Sequence, residues 1–396
     1  MTAPNPYVKQ YLMTAGPTPL PPRVLSVMAE PVVYHRAPDF DALLARVLDR
    51  LPVVFGTAND VMVFAASGSG AMESAVANLV APGDPVLACA AGKFGERWIE
   101  LGEAHGADVV RYEPGWGARL DPDEVDRILG ECPEIQVVFA TLSETSTGVV
   151  HDVQALAEVA RSHDAMLVVD AVSGLGATPC RQDEWGIDVV VTGSQKALMT
   201  PPGLAFASAS PRALEHAAQR PGGTYYFDWQ RTVGELRKDT PATPFTPAVS
   251  LLAGLDVALA MIEEEGLERV LARHDLLARA ARAGIAGMGL DLFGDPDERA
   301  TVVTAVELPA GIDGAKVPGL LRKRGITANG GQGQLKGRIV RIAHCGYFGA
   351  FDIIVSLAGL EQALAELGHD VELGAGVAAA QRVFLEADVG IVAPPA

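Results

Sequence analysis

Seven short, mostly apolar runs, separated by amphipathic stretches, set the tightest limit on what this 396-residue chain can become. They are Val61–Ala65, Pro85–Cys89, Asp108–Tyr112, Gln136–Ala140, Met166–Asp170, Asp188–Thr192 and Leu204–Ser208. A run that is apolar almost throughout suits a strand covered on both faces. The stretches between them, such as Asp123–Gly130 and Val153–His163, carry the apolar spacing of helices. Strand–helix–strand alternation implies right-handed crossovers and a mainly parallel sheet. The expected architecture is therefore α/β, with a large domain over residues 21–258.

The run Pro241–Pro247 (PATPFTP) is a stiff break before a long helical pattern, Ser250–Glu265. Leu271–Gly287 reads as a further helix, Thr301–Glu307 and Arg338–Ala343 as strands, and Phe351–Leu367 as a helix. These predict a smaller C-terminal α+β domain over residues 259–396, joined by the N-terminal segment 1–20. Gly330–Gly337 carries four glycines and reads as a mobile loop.

Composition excludes some partners. With 49 acidic and 31 basic residues the formal charge is −18. Such a balance disfavours nucleic-acid backbones and anionic membranes by repulsion. Cys89, Cys132, Cys180 and Cys345 form no C-x-x-C pair, so no zinc or redox motif is expected. They read as reduced thiols of a cytoplasmic protein. Met1–Leu20 holds four prolines and no apolar run, unlike a signal peptide. Val249–Ile262 is too short to span a bilayer and contains Asp256.

Three places carry chemistry. Ser67-Gly68-Ser69-Gly70 follows a strand and opens a helix. Small residues there let backbone N–H groups and a helix N-terminus meet an anion. By itself the run equally suits an ordinary capped turn. It lacks the lysine of a P-loop and the spacing of a dinucleotide site, so a nucleotide is not the natural ligand. Asp170 ends one apolar strand, and Lys196 follows another. Parallel strands open their carboxyl ends on one edge, where ligands bind. Taken singly, Asp170 suits a turn and Lys196 a solvated amine. Together the three supply a phosphate site, a pyridinium-nitrogen partner and a Schiff-base amine, the set that pyridoxal phosphate requires.

The words around these residues resemble those of the class V (fold type I) pyridoxal-phosphate aminotransferases, the alanine–glyoxylate and serine–pyruvate group. They are TAGPTP at Thr14–Pro19, HRAP at His35–Pro38, SGSGAME at Ser67–Glu73 and ETSTG at Glu144–Gly148. DAVSGLG at Asp170–Gly176, SQKAL at Ser194–Leu198, PPG at Pro201–Gly203 and RIAH at Arg341–His344 complete them. The resemblance covers nearly the whole chain. It implies a large domain with a mainly parallel seven-stranded sheet and a small C-terminal domain. It implies that Lys196 is the Schiff-base lysine and Asp170 the partner of the pyridine nitrogen. Ser67, Gly68 and Ser69 would hold the phosphate. Phe94 falls where relatives often carry a stacking Trp, and Thr145 and Gln195 match positions near ring or phosphate. Thr246 matches a position that reaches the partner subunit's phosphate. Arg341 would bind the substrate carboxylate through its planar fork, and Gly16 would leave room at the entrance. His344 reads as a structural hydrogen-bonding residue, Cys345 as packed, and Tyr225 and Tyr226 as loop anchors.

The implied activity is transfer of an amino group from alanine or serine to glyoxylate or pyruvate, by a homodimer with shared active sites and no metal. Pyridoxamine-, ureidoglycine- and aminophosphonate-type transfer remain alternatives. A cysteine desulfurase or lyase is disfavoured, because Gln195 rather than His precedes Lys196 and no loop cysteine is evident.

Overall fold

The computed structural model describes residues 8–220, 224–297 and 299–387. Its largest sheet has seven strands, in the order Val61–Phe64, Ala205–Ala209, Val189–Gly193, Met166–Asp170, Val137–Thr141, Pro85–Cys89 and Asp108–Tyr112. Ala205–Ala209 runs antiparallel to both neighbours, and the other neighbouring pairs are parallel. All seven expected strands form, each within one residue of the predicted bounds. A difference that small is within the fraying of strand ends.

The apolar runs are explained by cover on both faces. Val138, Leu167 and Val190 join one core, with Leu44, Leu51 and Leu255. Their neighbours Phe139, Val168 and Val191 join another, with Met72, Trp98 and Trp229. Successive residues of one strand thus serve opposite cores, as a period of two requires. Helix Val249–Glu265 lies on the first of these cores through Leu252, Leu255, Leu259 and Ile262. The Asp256 carboxylate within its apolar run is held by Arg46 Nε at 2.9 Å and Arg50 Nη1 at 2.5 Å.

A second sheet has the order Tyr11–Met13, Ile326–Gly330, Ile339–Ala343, Val303–Glu307. Helices Leu267–Gly287 and Ala350–Glu366 pack on it through Leu277, Ile285, Leu357 and Leu360. Its first strand is supplied by the N-terminal segment, which pairs parallel with Ile326–Gly330. That pairing is absent from the sequence reading because three residues give too short a pattern to detect. Gly330–Gly337 also departs from expectation. It holds a 3-10 turn at Gly333–Leu335, and Leu335 is buried with Ala305 and Ile339 against Trp116 and Phe293. One large apolar side chain anchors what its four glycines presented as loose. Among the described residues no helix is long and apolar enough to cross a membrane.

Trp98 shows how tightly the layers are joined. It is fully buried, stacks on Phe139 at 4.6 Å, and donates its indole N–H to Ala140 O at 3.1 Å. Trp98→Ala should cost about 3–5 kcal/mol of stability, read as a lowered midpoint in chemical denaturation followed by circular dichroism.

Candidate active site

Lys196 lies in the turn after strand Val189–Gly193, and that turn is built to hold it. Ser194 closes the turn by donating its hydroxyl to Pro201 O at 2.6 Å and accepting Leu204 N–H at 3.2 Å. From the other side, Thr18 donates its N–H to Gln195 O at 3.1 Å and its hydroxyl to Lys196 O at 3.1 Å. The Lys196 amine donates to the carbonyl of Ala15. Gly16, at φ +134°, leaves the space that the lysine stem occupies: a Cβ there would fall inside the Lys196 side chain. Lys196 is 8% exposed. Burial lowers its pKa and Arg341 lowers it further, while Cys345, Asp170 and Glu144 oppose the shift. An amine less willing to carry charge is the form that attacks a carbonyl or accepts a proton.

Asp170 ends its strand 3% exposed. Among the described residues its carboxylate has one hydrogen bond, from Val172 N–H at 2.8 Å. Burial pushes its pKa up to about 6, and Glu144 adds to the rise; the Val172 N–H, Arg97 and Lys196 counter it. A buried carboxylate with so little support is poised for a cationic partner.

Arg341 is 5% exposed. It stands in strand Ile339–Ala343 opposite Ala305 and Asn329. Its Nε donates to Gly330 O at 3.0 Å and its Nη1 to Thr145 O at 2.9 Å. Burial lowers its pKa to about 10, opposed by Glu144. Thr145 in turn shares a hydrogen bond of 3.0 Å with the Ser173 hydroxyl, in the segment after Asp170. Asn329 accepts Ala15 N–H at 2.8 Å. The second sheet and the N-terminal segment therefore meet the strand ends of the first at this point.

Glu144 is the residue that sequence reasoning passed over within ETSTG. It is fully buried. Its Oε2 accepts Phe94 N–H at 2.9 Å and Gly95 N–H at 3.0 Å. Its Oε1 accepts Ser146 N–H at 3.1 Å and the Ser146 hydroxyl at 2.5 Å. Nothing local announces the link to Phe94 and Gly95, because they lie about fifty residues away.

The remaining expected residues fall unevenly. Gly68 starts helix Gly68–Leu79 against Val172, and its backbone N lies close to Gly193. Ser67 makes no capping hydrogen bond and is exposed, and Ser69 is half-buried beside it. Gln195 Oε1 is buried with no partner, near Gly193 and Gly68. Phe94 is half-buried, with the Arg97 guanidinium 5.0 Å from its ring centroid. Thr246 is not brought to Lys196. It is exposed in the loop whose Phe245 stacks on Tyr226 at 5.1 Å. His344 is buried, with Nδ1 bonded to Thr301 O at 2.8 Å and Nε2 to Thr304 at 2.9 Å. Cys345 is buried, its Sγ 3.9 Å from Ser173 O, and burial pushes its thiol up to about 12. Gly222 and Gly223 of GGTYYFDW lie outside the described residues, as do residues 1–7 and 388–396 of the smaller expected domain.

These features fit a pyridine ring carrying a phosphate. An uncapped helix start with free N–H donors suits the phosphate, an under-bonded buried carboxylate suits the pyridine N–H, and a buried amine suits the aldehyde. The fold and site thus suit an enzyme that uses pyridoxal phosphate.

The comparisons narrow this. Residues 10–341 match the family described as Aminotransferase class-V. The chain is 41% identical to the soluble hydrogenase small subunit of Synechococcus sp., over 95% of this chain and 98% of that one. It is 36% identical to the L-aspartate–glyoxylate aminotransferase of Paracoccus denitrificans, over 97% of each. It is also 36% identical to the serine–glyoxylate aminotransferase of Methylorubrum extorquens, over 96% of each. The ureidoglycine–glyoxylate aminotransferase structure from Bacillus subtilis superposes with a TM-score of 0.92 and 34% identity, over 98% of this chain and all of that one. The chain belongs to the class-V aminotransferases; it is an aminotransferase that uses pyridoxal phosphate.

The Asp170 shift has a stability consequence. Its folded-state pKa lies above its unfolded value, so the folded apoprotein binds the extra proton between about pH 4 and 6. Its contribution is most favourable below that window and is lost as pH rises through it. Asp170→Asn should therefore gain stability over wild-type apoprotein as pH rises from 4 to 7, by up to about 3 kcal/mol. Paired denaturant titrations across that range measure it.

Proposed function

We propose that the chain moves an amino group from alanine or serine to glyoxylate or pyruvate, with Lys196 as the Schiff-base lysine. The observation that carries this reading is the buried Lys196 amine, which donates to Ala15 O and whose stem lies against Gly16. When bound, pyridoxal phosphate supplies the carbonyl that takes the amino group and the ring that stabilises charge at the substrate's α-carbon. Asp170 would hold the pyridine nitrogen protonated. Ser67, Gly68, Ser69 and Gln195 would hold the phosphate, and Phe94 and Thr145 would border the ring. Arg341 would bind the substrate carboxylate and so set which bond at the α-carbon stands over the ring. Lys196 Nζ, with its lowered proton affinity, would take the α-proton and return it. Gly16 would line the entrance.

The donor is argued from relatives named for serine and aspartate. The Arg341 fork suits a donor that carries an α-carboxylate. Ureidoglycine is the second reading, supported by the superposition with the Bacillus subtilis structure.

A homodimer and a cytoplasmic place belong to the same proposal. Val32, Tyr34 and Tyr225 are 70%, 66% and 71% exposed. Their segments meet through the loop at Thr243–Phe245: Arg36 donates to Thr243 O at 3.3 Å, and the Tyr225 ring lies 5.5 Å from that of Phe245. A partner covering this surface would bring Thr246 toward a second site. The four cysteines, none in a disulfide, support a reducing compartment. Residues 21–258 would form the cofactor-holding unit.

Lys196→Ala should remove both the visible absorption of protein-bound cofactor and turnover; full activity in that variant would refute the assignment. A panel of alanine, serine, aspartate and ureidoglycine donors against glyoxylate and pyruvate should give the highest kcat/KM with alanine or serine. Light scattering under turnover conditions should give twice the chain mass of 41.4 kDa, and a single-chain mass with full activity would exclude shared sites.

A further inference from the structure

Glu144 touches neither end of the proposed reaction, yet it holds two parts of the site together. Its four donors come from Phe94, Gly95 and Ser146. The Ser146 hydroxyl is itself fixed, because it accepts Lys93 N–H at 3.0 Å and so directs its proton to Glu144. Burial raises the Glu144 pKa, and the four donors, from the Ser146 hydroxyl and the Gly95, Ser146 and Phe94 N–H groups, oppose that rise by favouring the ionised form. The anion also meets the N-terminus of helix Lys93–Ala104, where the helix dipole favours it. Gly92 lets the two segments approach. A Cβ there would lie 2.5 Å from Glu144 Cγ and Cδ and from Ser146 Oγ.

The next residue carries the link onward. Thr145 gives its carbonyl to Arg341 Nη1 and its hydroxyl to Ser173. Glu144 also acts electrostatically on Asp170, Lys196 and Arg341. We propose that Glu144 is the positioning residue that locks the backbone of Phe94 to the Thr145–Arg341 pair, so that one buried anion sets both the ring-bordering helix start and the carboxylate-binding fork. The proposal rests on the cofactor and substrate roles given above to Phe94 and Arg341.

Glutamine cannot replace it. In either amide orientation the –NH2 group faces an N–H donor, and the negative charge is gone. Aspartate keeps the charge on a shorter stem. The test titrates each apoprotein with pyridoxal phosphate by visible absorbance, then measures donor KM and kcat at saturating cofactor.

Glu144→Gln should lose about tenfold or more in pyridoxal-phosphate affinity and gain about tenfold in donor KM, with kcat at saturation falling less. Glu144→Asp should recover part of both. Ser146→Ala keeps the charge and removes one donor, so it should shift both in the same direction by less. Wild-type affinity and KM in a folded Glu144→Gln would overturn the proposal. If that variant does not fold, wild-type values in Ser146→Ala would overturn it. Failure of the wild-type protein to bind pyridoxal phosphate would instead overturn the reading of the site itself.

Discussion

The site depends on taking one amine out of water. Lys196 is enclosed by the turn that carries it, by Thr14–Thr18 and by the segment around Gly346. Moving an ammonium into such a place is unfavourable unless it is paired or neutralised. Here the amine is given one backbone carbonyl, that of Ala15, and a neighbouring carboxylate, Asp170, that is itself under-bonded. The result is a lysine whose pKa is lowered, chiefly by burial. That burial includes Gly16 lying against the lysine stem, where a Cβ would displace it.

Enclosure has an architectural requirement. The seven-stranded sheet can deliver Asp170 and Lys196 to one edge, but it cannot close that edge itself. Closure comes from the four-stranded sheet. Strand Tyr11–Met13 extends into the segment that covers Lys196, and strand Ile339–Ala343 presents Arg341 to Thr145. Glu144 and Ser173 join the loops between. An acidic chain can then hold a phosphate and a carboxylate, because local cations and a helix start work against the net charge.

Much of this was legible in the sequence, and the reasons are physical. Strands covered on both faces read as apolar runs, so all seven appear within a residue. Asp170 and Lys196 follow from strand ends, because parallel strands share an edge. Arg341 needed the family resemblance, since an arginine in a strand equally suits a surface ion pair. What stayed hidden is non-local. Glu144 meets Phe94 across fifty positions, Ala15 meets Asn329 across three hundred, and neither pairing leaves a pattern in the chain. Gly330–Gly337 misled because glycine content signals freedom while the buried Leu335 decides the outcome. Thr246 is exposed, and its expected role toward a partner subunit's phosphate is not one that a single chain displays.

The most direct measurement is chemical. The protein loaded with pyridoxal phosphate is reduced with borohydride and digested, and the peptides are read by mass spectrometry. The account predicts one phosphopyridoxyl group, on the peptide bearing Lys196 and on no other lysine. A label on a different lysine, or none at all on protein that has bound the cofactor, would contradict it.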